Sequence, residues 1–123
     1  MIAVIFEVAP KDGRSGQYFD IAARLRAMLE QTEGFISVER FQSLSDPRKF
    51  LSLSFFTDED AVLRWRNTAE HRSAQEHGRD GVFADYRLRV AHVIRDYGLS
   101  DRAEAPADSL RHHDSRRIES ASD

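Results

Sequence analysis

At 123 residues the chain has room for one ordinary domain, because two separate cores would each be too small to stand alone. Hydrophobic residues at 41% are enough for a packed interior, while a formal net charge of −3 argues against a general nucleic-acid binder, which carries a basic excess. With no cysteine the protein has no disulfide, no thiolate metal site and no thiol nucleophile.

Ile2 to Val8 (IAVIFEV) is rich in β-branched and aromatic residues and stops at Pro10 and the turn-like Lys11, Asp12 and Gly13, which predicts a strand. From Gly16 to Thr32 the period changes: Tyr18, Ile21, Ala22, Leu25, Met28 and Leu29 recur at steps of three and four, the stripe of an amphipathic helix that Gly34 closes. Phe35 to Leu44 and Phe50 to Phe56 read as strands joined by Ser45, Asp46, Pro47 and Arg48. Pro47 presets a turn angle there and Asp46 bonds the turn backbone, giving a β-hairpin. Thr57 followed by Asp60 predicts the cap of a second helix that begins TDEDAVLRW and continues to about Gly78. The last strand runs from Tyr86 to about Tyr97.

The order βαββαβ with right-handed crossovers gives a ferredoxin-like α+β fold, a four-stranded antiparallel sheet with two helices on one face. Alternation assigns Ile2, Val4, Phe6, Val8, Ile36, Val38, Leu51, Leu53 and Phe55 to the helix-covered face. The opposite face then collects Ile5, Glu7, Phe35, Ser37, Glu39, Phe41, Phe50, Ser52, Ser54 and Phe56. Four Phe on an uncovered face predict a partner, and the simplest is a second copy of the same sheet in a homodimer. The alternative is a one-residue slip on two strands, which turns some of these Phe into the core.

The predicted domain is residues 1–98, which hold all 12 aromatics, and residues 99–123 read as a polar, flexible tail. No run approaches the ~20 apolar residues of a membrane span, and MIAVIFEV lacks a signal peptide's basic start, so a cytoplasmic location with no membrane partner is expected.

Trp65 is the single tryptophan and shares a helix side with Ala61, Val62 and Ala69, either as a core residue or as the wall of a pocket. The polar run EHRSAQEHGRD follows, from Glu70 to Asp80. On an unbroken helix His71 and Gln75 share a face. His71 there is either an acid or base near neutral pH, an axial ligand to a haem iron, or part of a solvated polar face. His71 and His77 are six apart and diverge on a continuous helix, and no HExxH is present, so no metal site is expected. No serine sits in a GxSxG setting, so a hydrolytic nucleophile is unsupported.

Over about residues 1–98, with GFISVERFQS after the first helix, the SDPRKFLSLSFF hairpin and EDAVLRWRNTAEHRSAQ carrying a tryptophan and then a histidine, the chain resembles the antibiotic biosynthesis monooxygenase family of dimeric α/β barrels. The resemblance implies a pocket between sheet and helices in each subunit of a homodimer, and a monooxygenase that oxidises a small aromatic, phenolic or quinone-type substrate with O2 and no metal, flavin or other cofactor. It places Trp65 and His71 as catalytic residues, His71 accepting the phenol proton. By the same resemblance Phe6, Phe83 and Tyr86 form the ring slot, Gln75 lines it, and Arg79 or Arg87 holds an enolate or phenolate oxygen. Haem-degrading relatives of the same barrel, the alternative, use an asparagine on strand one and a histidine ten residues after the tryptophan. Those positions fall here on Phe6 or Glu7 and on Gln75. A third reading is a non-catalytic dimeric module that binds a small ligand.

Overall fold

The apolar segment that opens the chain becomes the inner strand of the sheet, hydrogen-bonded on both edges. In the computed structural model, which describes residues 1–68, 71–73 and 81–109, the elements are β1 (Ile2–Pro10), α1 (Ser15–Leu29), β2 (Phe35–Gln42), β3 (Phe50–Phe56), α2 (Glu59–Arg66) and β4 (Phe83–His92). The strands form one antiparallel sheet in the order β2-β3-β1-β4, the ferredoxin-like arrangement the element order predicts. β4 starts three residues before Tyr86 and ends well short of Tyr97. Its last rung pairs His92 with Ile2.

The β2–β3 turn is built by its side chains. Asp46 Oδ1 accepts from the Arg48 amide at 3.1 Å and the Asp46 carbonyl accepts from the Lys49 amide at 3.0 Å. At the other end of β2, Gly34 has φ +89° and its carbonyl accepts from the Thr57 amide at 2.8 Å. A Cβ at Gly34 would lie 2.5 Å from Ala61 Cβ and 2.8 Å from Thr57 Oγ1. Gly34→Ala is therefore expected to lose about 2–4 kcal/mol, combining the left-handed backbone penalty with a clash against α2, as a urea midpoint would measure.

Register decides which aromatic residues enter the core, and here the structure departs from the simple alternation. Phe6 pairs with Ser52 and Val4 with Ser54, so β3 turns Phe50, Ser52, Ser54 and Phe56 toward the helices and Leu51, Leu53 and Phe55 away. A shift in β2 between Phe35 and Ser37 lets both Phe35 and Val38 face inward and leaves Ile36 45% exposed. The one-residue slip thus holds along β3 and, on β2, only at Phe35 and Ile36, while Ser37 to Phe41 keep their expected faces: Phe35, Phe50 and Phe56 are core residues, and only Phe41 of the four stays on the open face. That face is nonetheless apolar, because Ile5, Leu51, Leu53 and Phe55 occupy it beside Phe41. Glu7 crosses it, paired with Lys49 at 3.1 Å and Arg89 at 3.2 Å.

The chain divides into two compact units after His92. In the second, the described residues 93–109 gather around Arg102. Its guanidinium lies 5.3 Å from the Tyr97 ring centroid and donates to the Gly98 carbonyl at 3.1 Å and to Ser109 Oγ at 2.7 Å. No described helix is long and apolar enough to cross a membrane.

Candidate active site

Two clusters of buried side chains share the helix-covered face. One joins Ile2, Leu29, Phe56, Ala61, Val62 and Trp65, the other Val8, Tyr18, Ile21 and Val82, and the half-buried Leu25 packs against both. They bound a cavity of about 380 Å³ under α1, walled mainly by apolar atoms. Its floor is the middle of β3, where Ser52 and Ser54 stand between Phe50 and Phe56. Two small residues at the centre of a sheet flanked by Phe at both ends leave the room that two leucines would fill.

The chemistry enters from α2. Asp58, rather than Thr57, caps the helix, its Oδ1 accepting from the Ala61 amide at 2.9 Å. The helix ends at Arg66, not near Gly78. Asn67 and Thr68 have side chains that compete for backbone groups. Thr68 Oγ1 donates to the Trp65 carbonyl at 2.9 Å and accepts from the His71 amide at 3.2 Å, so one hydroxyl closes α2 and opens the turn at 71–73. On a continuous helix, residues six apart point about 120° away from each other. The break brings the Trp65 and His71 rings to 5.1 Å between centroids at 53°, on one wall of the cavity.

His71 Nδ1 is buried and has no hydrogen-bond partner among the described residues. Burial lowers the imidazole pKa below its ordinary value, and the nearby Arg66 charge adds to that, while the Arg66 backbone carbonyl opposes it. The ring is therefore largely neutral at pH 7, and the residue lines the cavity beside Trp65. Because the unfolded chain takes up this proton at higher pH than the folded one, stability is full above about pH 6.5 and falls as the pH drops from there through the lowered folded value. Urea midpoints at pH 7.5 and 5 are expected to differ more for the wild type than for His71→Phe.

The opposite wall is aromatic. Phe6, Phe83 and Tyr86 meet with centroids 5.7, 5.8 and 6.1 Å apart and all line the cavity. The structure thus brings five of the expected residues together: Trp65, His71, Phe6, Phe83 and Tyr86. Arg87 pairs in register with Glu7 on the open face, so it does not face the cavity. Gln75 and Arg79 lie outside the described residues.

Among the lining residues that sequence reasoning missed, besides the serines, are Tyr18 and Arg40. Tyr18 is 4% exposed, and burial raises its pKa, opposed by the charge and hydrogen bond of the adjacent Arg40 guanidinium. Arg40 lines the same cavity from β2. Alternation from Val38 already puts Arg40 on the helix-covered face, but it gives no sign of a chamber there until the inward turn of Ser52 and Ser54 is known.

A ferredoxin-like sheet with an apolar chamber under its helices, and an indole and an imidazole together on one wall, defines an α+β protein with a pocket of small-molecule size. The chain belongs to the antibiotic biosynthesis monooxygenase family, which it matches over residues 1–77. It is 52% identical over 93 residues to the jasmonate monooxygenase ABM of Pyricularia oryzae, an alignment covering 76% of this chain and 43% of that protein. The chain thus spans less than half the length of that relative. It is 33% identical to the uncharacterized protein YqjZ of Bacillus subtilis, over 76% of this chain and 79% of that one. In fold it is similar to Rv0793 from Mycobacterium tuberculosis, with a TM-score of 0.72 at 10% identity over 79% of this chain and 98% of the other.

Proposed function

We propose that the protein is a monooxygenase that oxidises a small, largely apolar molecule with O2 inside the Trp65–His71 cavity, using the substrate's own reactivity rather than a bound cofactor. The observation that carries this reading is the Trp65–His71 pair, two rings 5.1 Å apart on one wall of an apolar chamber. A neutral imidazole takes the proton of a phenol or of a methylene next to a carbonyl. The resulting anion reduces O2, and a hydroperoxide forms on the carbon. Loss of water then leaves a carbonyl, so one CH2 and one O2 give one C=O and one H2O with no external reductant. Trp65 and the Phe6–Phe83–Tyr86 wall hold the flat substrate and exclude bulk water.

Two substrate classes fit that chemistry: phenolic or anthrone-type rings, and cyclic ketones with an enolisable methylene. The relative in Pyricularia oryzae favours the second, because jasmonate is a cyclopentanone acid. Oxygen uptake by the purified protein with an anthrone, a hydroquinone and jasmonic acid, with and without NADH, is the test. We expect uptake without NADH and one 18O atom in the product from 18O2. A strict NADH requirement would overturn cofactor independence. Haem binding is the competing reading, and Phe6 stands in the cavity wall near where an asparagine would be needed. No Soret shift is expected on haemin titration.

The same reading includes a homodimer closed through the open face by Ile5, Phe41, Leu51, Leu53 and Phe55, whose apolar side chains the two helices do not cover. Sedimentation at micromolar concentration tests it, a monomer being the contrary result.

A further inference from the structure

The cavity has two chemically different ends. Trp65 belongs to the end marked by the Ile2, Phe56 and Phe35 rung of the sheet. Arg40, Ser52 and Phe6 form another rung four residues along, about 13 Å away at the usual rise per residue. There the lining turns polar, with the Arg40 guanidinium beside the Tyr18 hydroxyl and Ser52 opposite Arg40 in register.

Among the described residues, the charges around that end leave Arg40 without an ion-pair partner. No carboxylate of the described residues lies within ion-pair distance of it; Glu39 borders the same cavity from the neighbouring position on β2, but its rung, with Leu53 and Ile5, is that of the open face and it forms no ion pair with Arg40. Of the other two arginines bordering the cavity, Arg26 is engaged by Glu30 at 3.2 Å and Arg66 is exposed. A half-buried guanidinium in a mainly apolar chamber, with no ion-paired acid among the described residues, matches a planar anionic group brought by a ligand.

We infer that Arg40, with Tyr18 and Ser52, is a carboxylate-recognition site, so that the substrate is a small apolar acid held by its carboxylate at Arg40 while its body extends to Trp65 and His71. This rests on the cavity being the substrate site proposed above. It goes further by assigning specificity to a residue on β2, remote from the reacting end. Arg40 is a binding residue in this scheme, and Tyr18 positions its guanidinium.

The sole tryptophan makes the test independent of turnover, since Trp65 fluorescence reports occupancy of the cavity. The probes are two acid and methyl-ester pairs, jasmonic acid with methyl jasmonate and 1-naphthylacetic acid with its methyl ester, titrated against the full chain. We expect at least one acid to quench Trp65 with an affinity about 10- to 100-fold above its ester, the range a charge-assisted hydrogen-bonded pair supplies. In Arg40→Gln that ratio should collapse toward one, Arg40→Lys should restore part of it, and Tyr18→Phe should reduce it several-fold. Circular dichroism on each variant identifies any that fail to fold, and the lysine and phenylalanine variants carry the test if the glutamine one does. An unchanged ratio in the folded variants, or no binding of either acid, overturns the inference. Binding with the expected ratio but no oxygen uptake would instead overturn the monooxygenase reading and leave the carboxylate site standing.

Discussion

His71→Ala is expected to lower kcat for oxygen uptake about 10²- to 10³-fold, within the range that loss of a positioned general base produces. The imidazole is the titratable ring beside Trp65 on the cavity wall. Removing it leaves the aromatic wall, the serine floor and the polar end intact, so KM should move much less than kcat. The pH profile sharpens the result. Because burial lowers the His71 pKa, the acid limb of kcat/KM for the wild type should lie below about pH 6.5 and should vanish in the alanine variant. A variant with normal kcat and an unchanged acid limb would show that another group takes the proton. Steady-state oxygen-electrode rates from pH 5 to 8 measure both.

Phe56→Ala should be the most damaging core substitution, losing about 3–5 kcal/mol in urea unfolding. Phe56 is 1% exposed, sits in the cluster with Ile2, Val62 and Trp65, and meets Phe35 edge to face at 6.0 Å. Its neighbour Phe55 points to the open face. Phe55→Ala should therefore leave the subunit core intact and show its effect in association between chains. Equal losses at the two positions, independent of protein concentration, would contradict the register described above.

That pair of neighbours marks where the sequence was legible and where it was not. The element order, the antiparallel sheet and the hairpin at Asp46 and Pro47 follow from period and turn chemistry, which are local properties. The face assignment does not. In FLSLSFF the apolar count favours Leu51, Leu53 and Phe55 for the core, and a rule that maximises burial chooses them. The protein instead turns Ser52 and Ser54 inward, giving up packing to make a chamber, and exports the leucines to a face that needs its own cover. A functional void is invisible to a rule that assumes the interior is filled.

The site shows the same division. Trp65 and His71 stand out by residue type, and Phe6, Phe83 and Tyr86 follow from the family resemblance. Their meeting depends on a helix break that polar residues from Asn67 onward conceal, since Glu70 to Gln75 read as helix formers. Thr68, by serving as acceptor for one turn and donor to the other, makes the break. Arg40 lies two after Val38, so alternation alone puts it on the helix-covered face; what alternation does not show is the chamber that the inward turn of β3's serines opens beside it.

The central claim is that the chamber left by Ser52 and Ser54 is where the substrate reacts, and a substitution that fills it tests this directly. Ser54 is 8% exposed and faces the cavity from the middle of β3, on the rung of Val4 and Val38. Ser54→Phe should occupy the void while keeping the strand, so the variant should fold, with an unfolding midpoint no lower than that of Phe56→Ala. Its oxygen uptake with the preferred substrate should fall to background. Wild-type oxygen uptake by a folded Ser54→Phe protein would place the reaction somewhere other than this cavity.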